Sequence, residues 1–201
     1  MVRTVDSVRE RILTEATRLF AERGVAGTSI QAVSEAAGIT RPTLVYHFKS
    51  KDGLREAVLD ALMGHWRDEL PRLMAAAASG GPRLESLTAA LFDFFRRDPA
   101  RARLLLREVL DRPEAMAERL RRDLQPMTGL LTAAVRAGQS QGLLQADADP
   151  ASFTVLIISA ALGVVAVGDA AGALVAEEPT VDEQQSELVR VARASLLTPR
   201  E

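Results

Sequence analysis

The most constraining feature of this chain is residues 28–52, TSIQAVSEAAGITRPTLVYHFKSKD, where one helix must stop and another begin within a few residues. Thr28 or Ser29 stands in N-cap position ahead of Ile30, Val33 and Ala37, which are apolar at helical spacing. That segment stops at Gly38, whose missing Cβ permits the left-handed conformation of a helix C-terminus. Thr40 can cap the next segment, and Pro42 is tolerated in a first turn, where its missing N–H has no partner to lose. Two helices so short and so close can only form a tight helix-turn-helix.

In the second of them Leu44 and Phe48 share one face. At about 100° per residue, Pro42, Thr43, Val45 and Tyr46 then point the other way, flanked by Arg41 and His47. Exposed apolar groups of this size imply a surface to dock on. The DNA major groove, about 12 Å wide, admits one helix. A third helix starts near Ser50 with Lys51 at its first position. A cation there opposes the helix dipole by roughly 0.3–1 kcal/mol, which a bound phosphate would offset and bulk water would reduce.

The run Phe20, Gly24, Thr28, Ser29, Ile30, Val33, Ala36, Ala37, Gly38, Ile39, Thr40, Pro42, Thr43, Leu44, Tyr46, His47, Phe48, Lys51 and Leu54 resembles the N-terminal DNA-binding domain of TetR-family transcriptional regulators. It departs at Val45, where that family commonly has an aromatic residue, and at Asp52-Gly53, where it commonly has Glu and a non-glycine residue. The resemblance implies that Ser29 meets phosphate and Gln31 a base edge. Gln31 has two uses: a bidentate bond to adenine, or a T-x-x-Q capping box with Thr28. Arg41 can pair with guanine O6 and N7 or remain a solvated surface arginine. Thr43, Tyr46 and His47 suit sugar and phosphate contacts, which fix register without reading sequence.

Ahead of this stretch, Ile12, Leu13, Ala16, Leu19 and Phe20 form the stripe of a first helix over 6–23, with Asp6 or Ser7 as its cap and Gly24 as its stop. Behind it a long helix from Ser50 carries Leu54, Ala57, Val58, Ala61 and Leu62 inward, is expected to bend near Pro71, and ends in a loop at Gly80-Gly81-Pro82. Further helices are expected over 84–97, 101–110, 113–141, 149–175 and 181–197, the last with Leu188, Ala192, Ser195 and Leu196 on one face. No segment alternates with period two, so the chain reads as all-α. The expected division is a DNA-binding domain over 1–52 and a larger effector-binding and dimerisation domain over 53–201.

Chemistry is excluded more readily than found. There is no cysteine, hence no disulfide, thiolate nucleophile or Cys-ligated metal. The two histidines, His47 and His65, have no partners that make an acid–base pair or a metal cluster, and no phosphate-cradling Gly-rich loop occurs. A non-enzyme without cofactor is expected. Residues 1–52 hold eight Arg or Lys against six Asp or Glu in a chain of net charge −2, a weak pull toward a polyanion. The start lacks an apolar signal segment, so the expected location is the cytoplasm. Asp169 interrupts the apolar run of 153–175 short of a membrane span, which reads as a buried helix. The arginine clusters of 96–107 and 119–122 are interleaved with acids and read as solvated helix faces.

The segment over 149–175 is apolar nearly all round and carries Gly163, Gly168 and Gly172, which let another helix approach closely. It either lies buried in its own domain or pairs with 181–197 across a two-fold axis, the homodimer that the resemblance implies. The resemblance also implies a pocket for a small, mostly apolar effector. Pro126 and Gly129 would kink the helix beside it, and Phe92, Met116, Met127, Leu130 and Phe153 are its candidate lining. The expected function is a ligand-responsive repressor of a near-palindromic double-stranded DNA operator. An architectural binder or activator without inducer, and a helical carrier or enzyme that has lost DNA binding, are the alternatives.

Overall fold

The computed structural model describes residues 8–79 and 83–196, and ten helices make up the regular structure there. They are α1 (Val8–Arg23), α2 (Ile30–Ala36), α3 (Arg41–Phe48), α4 (Lys51–Ser79), α5 (Arg83–Arg96), α6 (Pro99–Asp111), α7 (Pro113–Asp123), α8 (Gln125–Ser140), α9 (Pro150–Gly172) and α10 (Val181–Leu196). Two apolar cores organise them. In the first, Ile12, Ala16 and Phe20 of α1 close over Val33, Leu44 and Phe48. Leu54 and Val58 of α4 and Leu104 of α6 complete it, so this core reaches past residue 52.

The second core is aromatic. Trp66 of α4 meets Phe94 and Phe95 of α5 edge-to-face at 5.4 and 5.3 Å, and Phe92, Met116 and Ala161 pack around them. Each large side chain buried this way contributes about 1.5–3 kcal/mol, and the aromatic pairs somewhat more. α4 belongs to both cores, which joins them through one rigid rod.

Several expectations need correction. Residues 113–141 are two helices with a turn at Leu124, where φ opens to −119° two residues before Pro126, whose missing N–H interrupts the ladder there. α6 starts at Pro99, since the Asp98 carboxylate caps it by accepting from the Arg101 N–H at 3.3 Å. α4 runs through Pro71 to Ser79, in agreement with a helix expected to reach 80–82. Ala61 is exposed, whereas Leu54, Val58 and Leu62 are buried as expected and Leu59, Met63 and Trp66 widen the inward face. On α10, Ala192 is buried and Leu188 half-buried, but Ser195 is exposed and its hydroxyl donates to the Val191 carbonyl at 2.8 Å. The proposed cap at Asp6 or Ser7, the loop at 80–82 and Leu197 lie outside the described residues.

The arginine clusters are not simply solvated. Arg119 is buried and pairs with Glu56 and Asp60 of α4. Arg107 donates through Nε to the Ala21 carbonyl at 2.9 Å and through Nη2 to Glu22 at 3.3 Å, placing a cation on the C-terminal end of α1 where the dipole favours it. Sequence spacing shows acids beside these arginines; only the fold shows which helix each one reaches.

Candidate nucleic-acid interface

The helix-turn-helix is fixed by local chemistry at each of its ends. Ser29 is the N-cap of α2, its Oγ accepting from the Ala32 N–H at 3.0 Å. The T-x-x-Q capping box does not form. Thr28 is buried, with its hydroxyl between the carbonyls of Gly24 (2.8 Å) and Leu19 (3.3 Å), and the Gln31 amide donates to Glu35 at 2.7 Å. At the other end Gly38 takes φ +64°, and its N–H bonds Glu35 while that of Ile39 bonds Ser34, at 3.1 and 3.0 Å. Both orphan carbonyls are met, and α2 ends there.

Thr40 caps α3 by accepting from the Thr43 N–H at 3.3 Å, and the two hydroxyls bond each other at 2.8 Å. Leu44 is fully buried and Phe48 nearly so, which pins α3 by its inner face. Its outer face is bare: Tyr46 is 82% exposed and Val45 41%, with Arg41, Pro42 and His47 exposed beside them and Thr43 half-buried. Tyr46 and His47 meet edge-to-face at 5.4 Å. The structure brings Thr40, Arg41, Pro42, Thr43, Val45, Tyr46 and His47 together on one short helix and its cap, with exposed Ser29 and Gln31 at the start of α2. Lys51 stands apart from them, half-buried, its amine donating to the carbonyls of Thr28 (3.3 Å) and Ala26 (3.4 Å).

The α3–α4 corner is unusual. Lys49 adopts φ +57°, ψ −42°, and the Ser50 N–H bonds the Phe48 carbonyl at 2.6 Å, closing a γ-turn of the rare, strained hand. That turn swings the Phe48 carbonyl over the start of α4, where a Cβ on Gly53 would lie 2.5 Å from it. The glycine that looks like a weakening of the helix is therefore required by the turn. Across the same corner the Arg9 guanidinium of α1 sits 5.5 Å from the centre of the Phe48 ring. Arg9 and Lys49 carry no motif signal; the hint in the sequence was a helix restarting after only two residues, neither of them glycine.

The interface is coupled to the rest of the molecule through buried charge. Arg55 of α4 and Glu108 of α6 are both buried, bonded at 2.9 Å through Nε and again through Nη2. Burial opposes the charge of Arg55, yet the Glu108 hydrogen bond with the charges of Glu108, Glu56 and Asp52 holds its pKa above the ordinary value. With Leu104 and Arg107, this gives α6 three separate holds on the first core.

Two family models match this chain: bacterial regulatory proteins of the tetR family over residues 12–58, and the tetracyclin repressor-like C-terminal domain over residues 82–194. The chain belongs to the TetR family. TetR-family proteins are transcriptional regulators, and this chain is one. The transcriptional repressor NicS of Pseudomonas putida is 27% identical over 146 residues, covering 71% of this chain and 68% of that protein. The transcriptional regulator RutR of Escherichia coli K12 is 27% identical over 155 residues, covering 77% and 72%. The solved ketosteroid regulator KstR2 of Mycobacterium tuberculosis shares the TetR fold with a TM-score of 0.71 at 18% identity, over 98% of each chain.

Of the residues proposed for the effector pocket, Phe92 and Met116 are fully buried in the second core, and Phe153 is half-buried near the start of α9. The side chains of Met127 and Leu130 lie outside the described residues. α9 is largely uncovered within one TetR-family chain: only 17% of its most apolar stretch is buried, though by length and composition it would pass for a membrane span.

Proposed function

We propose that the protein is a repressor that binds a near-palindromic operator as a homodimer and leaves it when a small, mostly apolar effector binds. The observation that carries this reading is the bare outer face of α3, with Tyr46 and Val45 in solvent on a helix whose inner face is locked. Arg41 pairs with guanine, Gln31 exchanges its Glu35 partner for adenine, and Thr43, Tyr46 and His47 hold sugar and phosphate. Ser29 and Thr40 accept as caps through oxygen lone pairs, and the Ser29 hydroxyl proton stays available for a phosphate. Lys51 positions the α1–α2 loop and meets phosphate at the rim. These residues belong to a DNA-binding domain over 1–52.

The larger domain over 53–201 binds the effector and dimerises. Val155, Leu156 and Val167 on α9, with Leu174, Val175 and Val191, are exposed on one chain, and a second copy joined through 149–175 and 181–197 covers them. That keeps α9 out of a membrane and the protein in the cytoplasm. Phe92, Met116, Met127, Leu130 and Phe153 face the effector. No catalysis is needed: the effector acts by binding one arrangement of α4 and α6 more tightly than the other. NicS, a repressor by name, supports the sign of regulation.

Selection of bound sequences from random duplex DNA at stated salt tests this, with Arg41→Ala as the comparison. An enriched near-palindrome, relaxed at one position per half-site by the substitution and costing about 1–3 kcal/mol there, is the expected result. No enrichment with either protein would end the regulator reading of α3.

A further inference from the structure

Resting on the reading that α3 enters the major groove, we propose that Arg9 and Lys49 are a pair of phosphate contacts at the α1–α3–α4 corner, beyond the contacts made by α3 itself. Both border Phe48, the last residue of α3: Arg9 covers its ring at 5.5 Å, and Lys49 follows it in the chain. Both are exposed, and among the described residues neither is paired with a carboxylate. A ring attracts a guanidinium without using up its five N–H donors, which remain available. The ring contact also restrains the arginine before binding, which lowers the entropy lost when a phosphate is met.

Lys49 makes the complementary case from the backbone. Position 49 has φ +57°, a conformation suited to glycine, and the γ-turn there is closed by the 2.6 Å Ser50–Phe48 bond. Gly53 is the glycine that makes room for the turn, so the chain accommodates the strain at 53 while keeping a long cationic side chain at 49. Stability alone would favour glycine at 49. The charge is what glycine would not supply, and the ligand beside α3 that rewards charge without shape is the DNA backbone. Lys51, whose place at the start of α4 suits a phosphate, is half-buried and engaged with two carbonyls, leaving Arg9 and Lys49 as the freer cations of this corner.

The experiment measures operator affinity against salt concentration for the full-length wild type, Arg9→Gln, Lys49→Gly and the double variant, on the duplex selected by the wild type. Each single variant is expected to lower the slope of log K against log salt by about 0.9, and the double variant by about twice that. The selected sequence stays unchanged. Lys49→Gly is further expected to raise the thermal midpoint while weakening binding, two movements in opposite directions that a purely structural lysine cannot produce. Wild-type binding with an unchanged slope in the variants overturns this assignment alone and reduces Arg9 to a lid on Phe48. A change of base preference at one position overturns it in favour of base contact. A wild type that binds no duplex overturns the groove reading and this assignment with it.

Discussion

The α1–α3 unit and the helices from α5 onward are built from the same kinds of residue but hold their shape in different ways. In the first, each break is set by a local device: Ser29 and Thr40 as caps, Gly38 as a stop, the γ-turn at Lys49. In the second, α6, α9 and α10 have side-chain caps, whereas α7 and α8, which begin at Pro113 and Gln125, have none from Arg112 and Leu124 before them. Those two are held by packing and by ion pairs such as Arg119 with Asp60. A shape fixed by caps is indifferent to what lies beyond it. A shape fixed by packing depends on what fills and covers it, which suits a region proposed to answer to an effector and a second subunit.

The contrast is broken most sharply at the joint. Glu108→Ala leaves Arg55 charged and buried without its main partner, and removal of one member of such a pair costs about 3–5 kcal/mol. Urea unfolding should show the loss, and with Leu104 and Arg107 still in place the two cores should still melt together. Separate transitions for the two would mean that Arg55–Glu108 alone joins them. Gly53→Ala comes next. Alanine favours helix by about 1 kcal/mol over glycine, but its Cβ would meet the Phe48 carbonyl at 2.5 Å, so backbone must shift. A net loss of about 1–3 kcal/mol is expected, as for other overpacked sites. A gain in stability would show that the γ-turn at Lys49 is not fixed.

The contrast also explains what the sequence could disclose. The three helices α1–α3 were legible because their signals are local: Gly38 can be read as a stop wherever it falls, and Leu44 with Phe48 declare one face of α3. The capping box shows the limit of such signals. T-x-x-Q at 28–31 matches the pattern and does not form, since Thr28 turns inward to α1; T-x-x-E at 180–183 does form, Thr180 donating to Glu183 at 2.7 Å and receiving the Glu183 N–H at 3.2 Å. The two differ in a tertiary contact, which spacing does not contain. The same holds for Arg107 and Arg119, whose partners lie on helices distant in sequence, and for the break at Leu124, which an otherwise periodic run conceals.

A smaller effect separates the regions at α3. Thr40→Ala removes the cap and should cost about 1 kcal/mol of stability, read from the urea midpoint. Because α3 has only eight residues and its outer face carries the proposed contacts, the loss in operator affinity should exceed the loss in stability. Thr40→Ser retains an oxygen for the Thr43 N–H and should restore both. Equal losses would mean that the bare face of α3 does not depend on its cap for alignment.

The smallest effect belongs to the aromatic core. His65 of α4 stacks on Phe94 with ring centroids 5.7 Å apart. Burial pushes its pKa below the ordinary histidine value and Arg101 pushes the same way, while Glu69, Asp98 and Asp68 oppose them. A histidine depressed in the folded state stabilises the fold above its unfolded pKa, near 6.5, and this contribution is lost as pH falls through the folded value, because the unfolded chain takes up the proton first. His65→Phe keeps a ring against Phe94 and cannot titrate. The stability difference between wild type and variant should therefore shift in favour of the variant between pH 7.5 and 5.5, measured by urea midpoints at matched ionic strength. The half-buried position of His65 keeps that shift small, since water still reaches the imidazolium. A difference that stays constant over this range would mean that the second core holds the ring without regard to its charge.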